Sequence, residues 1–134
     1  MKKTLPFTIE TPFATIIYRK DGIIHVNYID RLLNLNETKE VFYATHNNSP
    51  WSQAPILLSG GDFTSVEKEA REFSNSDEVM NKCLAIAFIS PSTGGKLMAN
   101  FFIKFLKPKK PTRFFSTEED AVKWLGSFKA TPKK

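Results

Sequence analysis

The stretch Ser90-Pro91-Ser92-Thr93-Gly94-Gly95-Lys96 is where the sequence comes nearest to phosphate chemistry. A loop that cradles a nucleotide phosphate needs Gly-x-x-x-x-Gly-Lys-Ser/Thr between a strand and a helix. Its backbone N–H groups close on the phosphate oxygens, its lysine reaches them, and its hydroxyl binds Mg²⁺. Ser90 stands where the first glycine belongs and Leu97 replaces the hydroxyl, so nucleotide hydrolysis is not expected. Ser90, Ser92, Thr93, Gly94 and Gly95 remain a candidate loop for holding an anion, with hydroxyls and N–H groups at the start of a helix as donors. Metal chemistry finds no ligand set, since one cysteine and the two histidines, His25 and His46, show no recognised spacing. Nucleophilic catalysis is not expected either. No Gly-x-Ser-x-Gly elbow is present, and neither histidine stands in a context that marks it as a base. The carboxylates Asp62, Glu67, Glu118 and Glu119 fall where helix N-termini favour negative charge, and that structural role suffices for them. The chain is therefore expected to be neither an enzyme nor the holder of a cofactor.

The segment Lys96 to Leu106 has the spacing of a helix with two apolar stripes at once. One is Leu97, Phe101 and Phe105; the other is Met98, Phe102 and Phe105. Together they span an arc wider than one packing face requires. Met98, Phe101, Phe102 and Phe105 are accordingly the candidate face for a protein partner or a lipid, against the plainer alternative of a helix sunk on a sheet. Lys104, Lys107, Lys109 and Lys110 add a basic flank of the kind that suits an anionic membrane surface.

The elements that must position these residues are legible in outline. Ala14–Arg19 and Ile23–Tyr28 are β-branched runs joined through Asp21-Gly22, which predicts a hairpin. Alternation puts Ile24, Val26 and Tyr28 on one face and Ile23, His25 and Asn27 on the other, so His25 is expected at the sheet surface. A helix follows over residues 36–46, capped by Asn36 and supported by Glu37 and Glu40. Pro55–Ser59 predicts a buried strand, and Gly60-Gly61 turns the chain. Thr64-Ser65-Val66-Glu67 matches a capping box, predicting a helix from there through Ala70 and Phe73 towards Met80. Leu84–Ile89 predicts another buried strand, with Cys83 just before it as a buried, inert thiol. After the 96–106 helix, Thr112–Phe115 predicts a last strand. Ser116-Thr117-Glu118-Glu119 is a second capping box, with Ala121, Trp124, Leu125 and Phe128 at helical spacing behind it. A hairpin followed by alternating helices and strands implies a mostly parallel sheet with crossover helices.

The bulk properties agree with one domain. The chain has 134 residues, 41% hydrophobic and 25% charged, with 12 phenylalanines, enough to bury a core without staples. The division expected is an N-terminal arm over 1–11, one domain over 12–128 and a basic flexible tail over 129–134. Two lysines near the start are not followed by an apolar signal-peptide core, because Thr8, Glu10 and Thr11 interrupt it. No apolar run approaches the ~18 residues of a membrane span. The cytoplasm is the expected location. A net charge of +5 invites nucleic acid. Base-stacking aromatics are not interleaved with the basic cluster, however, and no nucleic-acid partner is expected.

The order of these elements resembles the bacterial SpoIIAA-like, or STAS/SEC14-like, domains. The segments that carry the resemblance are Glu67–Phe73, Ala99–Phe102, Pro108–Phe115 and Glu118–Leu125. It implies an α/β sandwich: an N-terminal β-hairpin, then alternating α and β, with a mixed sheet of about five strands and helices mainly on one face. Relatives of this kind include anti-sigma-factor antagonists, which bind a protein kinase and are switched by phosphorylation at a helix start. The matching positions here are Thr64 and Ser65, as a phospho-switch or as simple helix-start residues. Other relatives carry lipids. The resemblance thus implies a regulatory module whose partner is a protein, a second copy of the chain included, with the alternative of a lipid or other apolar molecule held under the Phe-rich helix.

Overall fold

The computed structural model describes residues 4–61, 64–89 and 109–133. The candidate loop Ser90, Ser92, Thr93, Gly94 and Gly95 and the candidate face Met98, Phe101, Phe102 and Phe105 lie outside the described residues.

The predicted hairpin is present as β2 (Ala14–Tyr18) and β3 (Ile24–Tyr28), paired antiparallel from Ala14↔Tyr28 to Tyr18↔Ile24. Gly22 in the turn has φ +90°, and a Cβ there would come within 3.1 Å of the Ala130 methyl. The positive φ favours glycine, and any other side chain would also press on Ala130. The N-terminal arm expected over residues 1–11 is not wholly an arm. Phe7–Glu10 forms β1, which pairs antiparallel along β2. Phe7 and Ile9 lie on the same face as Tyr18 and Ile16, and their apolar side chains explain the pairing.

From β3 the chain enters a two-residue strand, β4 (Leu32–Leu33), and then helix α1 (Leu35–Asn47). The cap is Asn34, not Asn36. Its side chain accepts from the Glu37 N–H at 2.9 Å, while Glu37 Oε1 accepts from the Asn34 N–H at 3.0 Å. The reciprocal box requires a glutamate three residues after the cap, which Asn34 has and Asn36 lacks.

Strand β5 (Trp51–Ser59) is longer than the predicted Pro55–Ser59 and runs through a buried proline. The ladder tolerates it because the register with the next strand shifts between Ala54 and Pro55, and pairing to β3 begins only at Ile56. Pro55 thus sits at a bulge, where a missing N–H costs least.

The segment after Gly60-Gly61 departs most from expectation. Thr64–Glu67 is not a capping box. Ser65–Val66 forms the short strand β6, which pairs parallel with β4. Glu67 is the N-cap of α2 (Lys68–Ser74) and makes no side-chain cap bond. The single helix expected to run towards Met80 is broken at Asn75. A new helix, α3 (Asp77–Met80), starts on Ser76, whose hydroxyl accepts from the Val79 N–H. Backbone pairing of Ser65 and Glu67 with Arg31 and Leu33 outcompetes the local capping preference.

The remaining elements are β7 (Cys83–Ile89), β8 (Thr112–Phe115), α4 (Glu118–Leu125) and β9 (Thr131–Pro132). The last pairs antiparallel with β5, so part of the expected tail is held on the sheet. Thr117, not Ser116, caps α4, its hydroxyl accepting from the Asp120 N–H at 3.2 Å.

The main sheet runs β1-β2-β3-β5-β7-β8, with β9 alongside β5, and its β3–β5–β7–β8 part is parallel. It is mixed, as expected, and wider than five strands. Two cores result. On one face Ile16, Tyr18, Ile24, Val26 and Ile56 pack with Val41 of α1 and Met80 of α3. On the other, Ile23, Leu57, Ala85 and Ala87 pack with Ala121 and Leu125 of α4. Phe73 of α2 lies on the same side as Val41 and Met80, so three of the four described helices belong to the first face.

Candidate functional site

Parallel sheets place their sites at the C-terminal ends of the strands. Here Ser59, the last residue of β5, meets Asn27 near the end of β3 and His25 near its start. Register pairs His25 with Leu57 and Asn27 with Ser59, all on the α4 face. This face is apolar over β5 and β7, under α4, and turns polar at β3.

His25 is buried rather than at the surface. The Ser59 hydroxyl and Glu118 of the first turn of α4 lie against it. Its Nε2 lies 2.7 Å from Ser59 Oγ, and the Ser59 hydroxyl donates to Asn27 Oδ1 at 2.8 Å. Its Nδ1 lies 3.8 Å from Glu118 Oε1. Glu118 Oε2 faces Arg19 Nη1 at 3.5 Å, and Arg19 is forked onto Asp21 with Nη2–Oδ2 at 3.0 Å. Burial holds the His25 ring below the ordinary histidine value; Glu118 pulls it up and Arg19 pushes it down.

A serine, a histidine and a carboxylate in this order form the outline of a nucleophilic triad, which the sequence had not been expected to hold. The hydrogen-bond polarity runs the wrong way for one. A serine has a single proton, and Ser59 gives it to Asn27, so it accepts from His25 Nε2. A general base would instead take that proton, with Nδ1–H turned to the carboxylate. Neither histidine's spacing signals this cluster. Its members come from positions 19, 25, 27, 59 and 118, and only the sheet register and the start of α4 join them.

The predicted helix-start residues lie at the same end of the sheet. Thr64 donates from its hydroxyl to the Ile29 carbonyl at 2.9 Å and packs on Gly60, where a Cβ would fall 2.6 Å from its Oγ1. Ser65 sits in β6 opposite Leu32. Neither caps a helix. Beside them Ile29 is 36% and Leu32 53% exposed, two of the three large apolar residues that stand out to solvent among the described residues.

On the opposite face, between the sheet and helices α1 to α3, lies an apolar cleft of about 90 Å³ lined by Tyr28, Val41, Phe42, Phe73, Met80 and Phe88 among others. Cys83 borders it as a buried thiol pushed up to about 12 by burial, as expected of an inert cysteine. Part of the basic flank is already paired. Lys109 Nζ reaches Asp77 Oδ1 at 2.7 Å. Among the described residues no group of three His, Cys, Asp or Glu could hold a metal ion, and no helix is long and apolar enough to cross a membrane.

The two-faced α/β architecture is that of a SpoIIAA-like fold. A crystal structure of an uncharacterised DUF3478-family protein from Shewanella loihica PV-4, described as having this fold, superposes with a TM-score of 0.57. The match is at 12% identity over 93% of this chain and 98% of that one. The chain itself belongs to the family described as domain of unknown function DUF7793, whose model matches residues 17–129. No curated protein matches.

Proposed function

We propose that this protein is a non-enzymatic regulatory module that acts by binding another protein at the β4–β6 end of the sheet. The observation that carries this reading is the exposure of Leu32 and Ile29 beside Thr64 and Ser65. Two aliphatic side chains and two hydroxyls share one small surface, which suits docking that phosphorylation would disrupt. The direction of the Ser59 hydrogen bond favours a binding role over hydrolysis.

A photo-activated cross-linking residue at Leu32, introduced in cells that make the protein, tests the surface. A discrete protein adduct is expected, at twice the chain mass if the partner is a second copy. It should be lost with Ile29→Asp or Thr64→Glu. An adduct indifferent to both substitutions, or none at all, would overturn the assignment. In the same samples a fluorophosphonate probe should leave Ser59 unlabelled; labelling that disappears in His25→Gln would instead make the protein a serine hydrolase.

A further inference from the structure

The imidazole of His25 is held between two groups that can only accept from it. Ser59 Oγ lies 2.7 Å from Nε2 with its own proton committed to Asn27 Oδ1 at 2.8 Å. The neutral ring therefore carries its proton on Nε2 and turns a bare Nδ1 lone pair towards Glu118 Oε1, 3.8 Å away. That contact is repulsive when the ring is neutral. A proton on Nδ1 makes it an attractive ion pair, which becomes a charge-assisted hydrogen bond once the two groups close to within hydrogen-bond distance, without moving any partner of Nε2.

Glu118 is well placed to respond. It is the first residue of α4, its side chain is 54% exposed, and its second oxygen already faces Arg19. The carboxylate can thus hold the guanidinium with Oε2 and the imidazolium with Oε1. Among the described residues, the charged groups that act on the ring are Glu118 from α4 and Arg19 from the end of β2, the latter paired in turn with Asp21 of the hairpin turn. From β5 and β3 come the Ser59 hydroxyl and the Asn27 amide. Burial and Arg19 resist protonation while Glu118 favours it, so the change falls on the acid side of neutrality.

We propose that His25, Glu118 and Arg19 form a proton-operated latch: uptake of a proton at His25 Nδ1 draws the first turn of α4 onto β3 through Glu118. The latch is independent of what binds at the β4–β6 end. Its effect is on the position of α4, whose Ala121 and Leu125 are fully buried on the sheet and transmit any shift to β5 and β7.

Nuclear magnetic resonance of the labelled protein tests it. At pH 7.5 long-range ¹H–¹⁵N correlations should show the Nε2–H tautomer. On acidification Nδ1 should take up a proton, and the amides of Asp120 and Ala121 should shift with the same midpoint. Glu118→Gln, a change at an exposed side chain, should weaken proton binding at His25 about two- to fivefold and uncouple those amides. Arg19→Gln should strengthen it. An Nδ1–H tautomer at pH 7.5, a midpoint unchanged in Glu118→Gln, or amides of α4 that ignore the titration would each overturn the latch.

Discussion

Tyr18 donates its phenolic hydrogen to the main-chain oxygen of Thr45, joining the end of β2 to the last turn of α1. The last four carbonyls of a helix have no partner within it. In α1, Tyr18 supplies one from across the core, and Lys133 Nζ supplies another by donating to the His46 oxygen at 2.8 Å. The sequence alone places Tyr18 in the first strand of a hairpin; its bond to α1 appears only in the folded structure.

Tyr18→Phe keeps the ring, which stacks on Phe7 with centroids 4.5 Å apart, and removes only the hydroxyl. Tyr18 is fully buried, so the Thr45 oxygen loses this partner where water cannot easily replace it. The expected loss is about 1–2 kcal/mol, read as a lower urea midpoint with an unchanged denaturant slope. Unchanged stability would mean that the carbonyl finds another donor.

Capping at the start of α1 separates two asparagines that sequence reasoning could not. Asn34→Ala should cost about 1 kcal/mol, because it removes the acceptor for the Glu37 N–H and half of the reciprocal box. Asn36→Ala lies on an exposed position inside the first turn and should change stability by only a few tenths of that. Chemical denaturation of the two variants side by side decides it, and an equal or reversed effect would refute the observed cap.

The same contrast explains what was legible. Strong local signals survived: the Asp21-Gly22 turn fixed the hairpin, the apolar run after Cys83 became β7, and Thr112–Phe115 became β8. Weak local signals lost to pairing partners far along the chain. Thr64–Glu67 has the letters of a capping box, yet the backbone of Arg31 and Leu33 takes Ser65 and Glu67 into a ladder. Strands β1 and β9 are too short to announce themselves without β2 and β5 beside them. The His25 cluster was invisible for the same reason. Alternation correctly put His25 on the more polar face, but its contacts are with Ser59 and with Glu118, 93 positions away by the numbering.

His46 gives the fold a pH dependence whose sign follows from its surroundings. A histidine in the last turn of a helix normally gains from the helix dipole when charged. Here burial outweighs that, packing the ring at 4.6 Å from Phe42, and Lys82 and Lys133 add repulsion, so the ring is pushed down to about 4. In the unfolded chain the same ring titrates near about 6.5. Between these values the unfolded state binds the extra proton and the folded state does not. Stability from this group is therefore complete above the unfolded value and falls as pH drops towards 4. Urea midpoints measured from pH 7.5 to 4.5 should decline, and the decline should be shallower in His46→Gln. A wild-type midpoint that holds constant or rises across that window would show that His46 is charged in the folded protein.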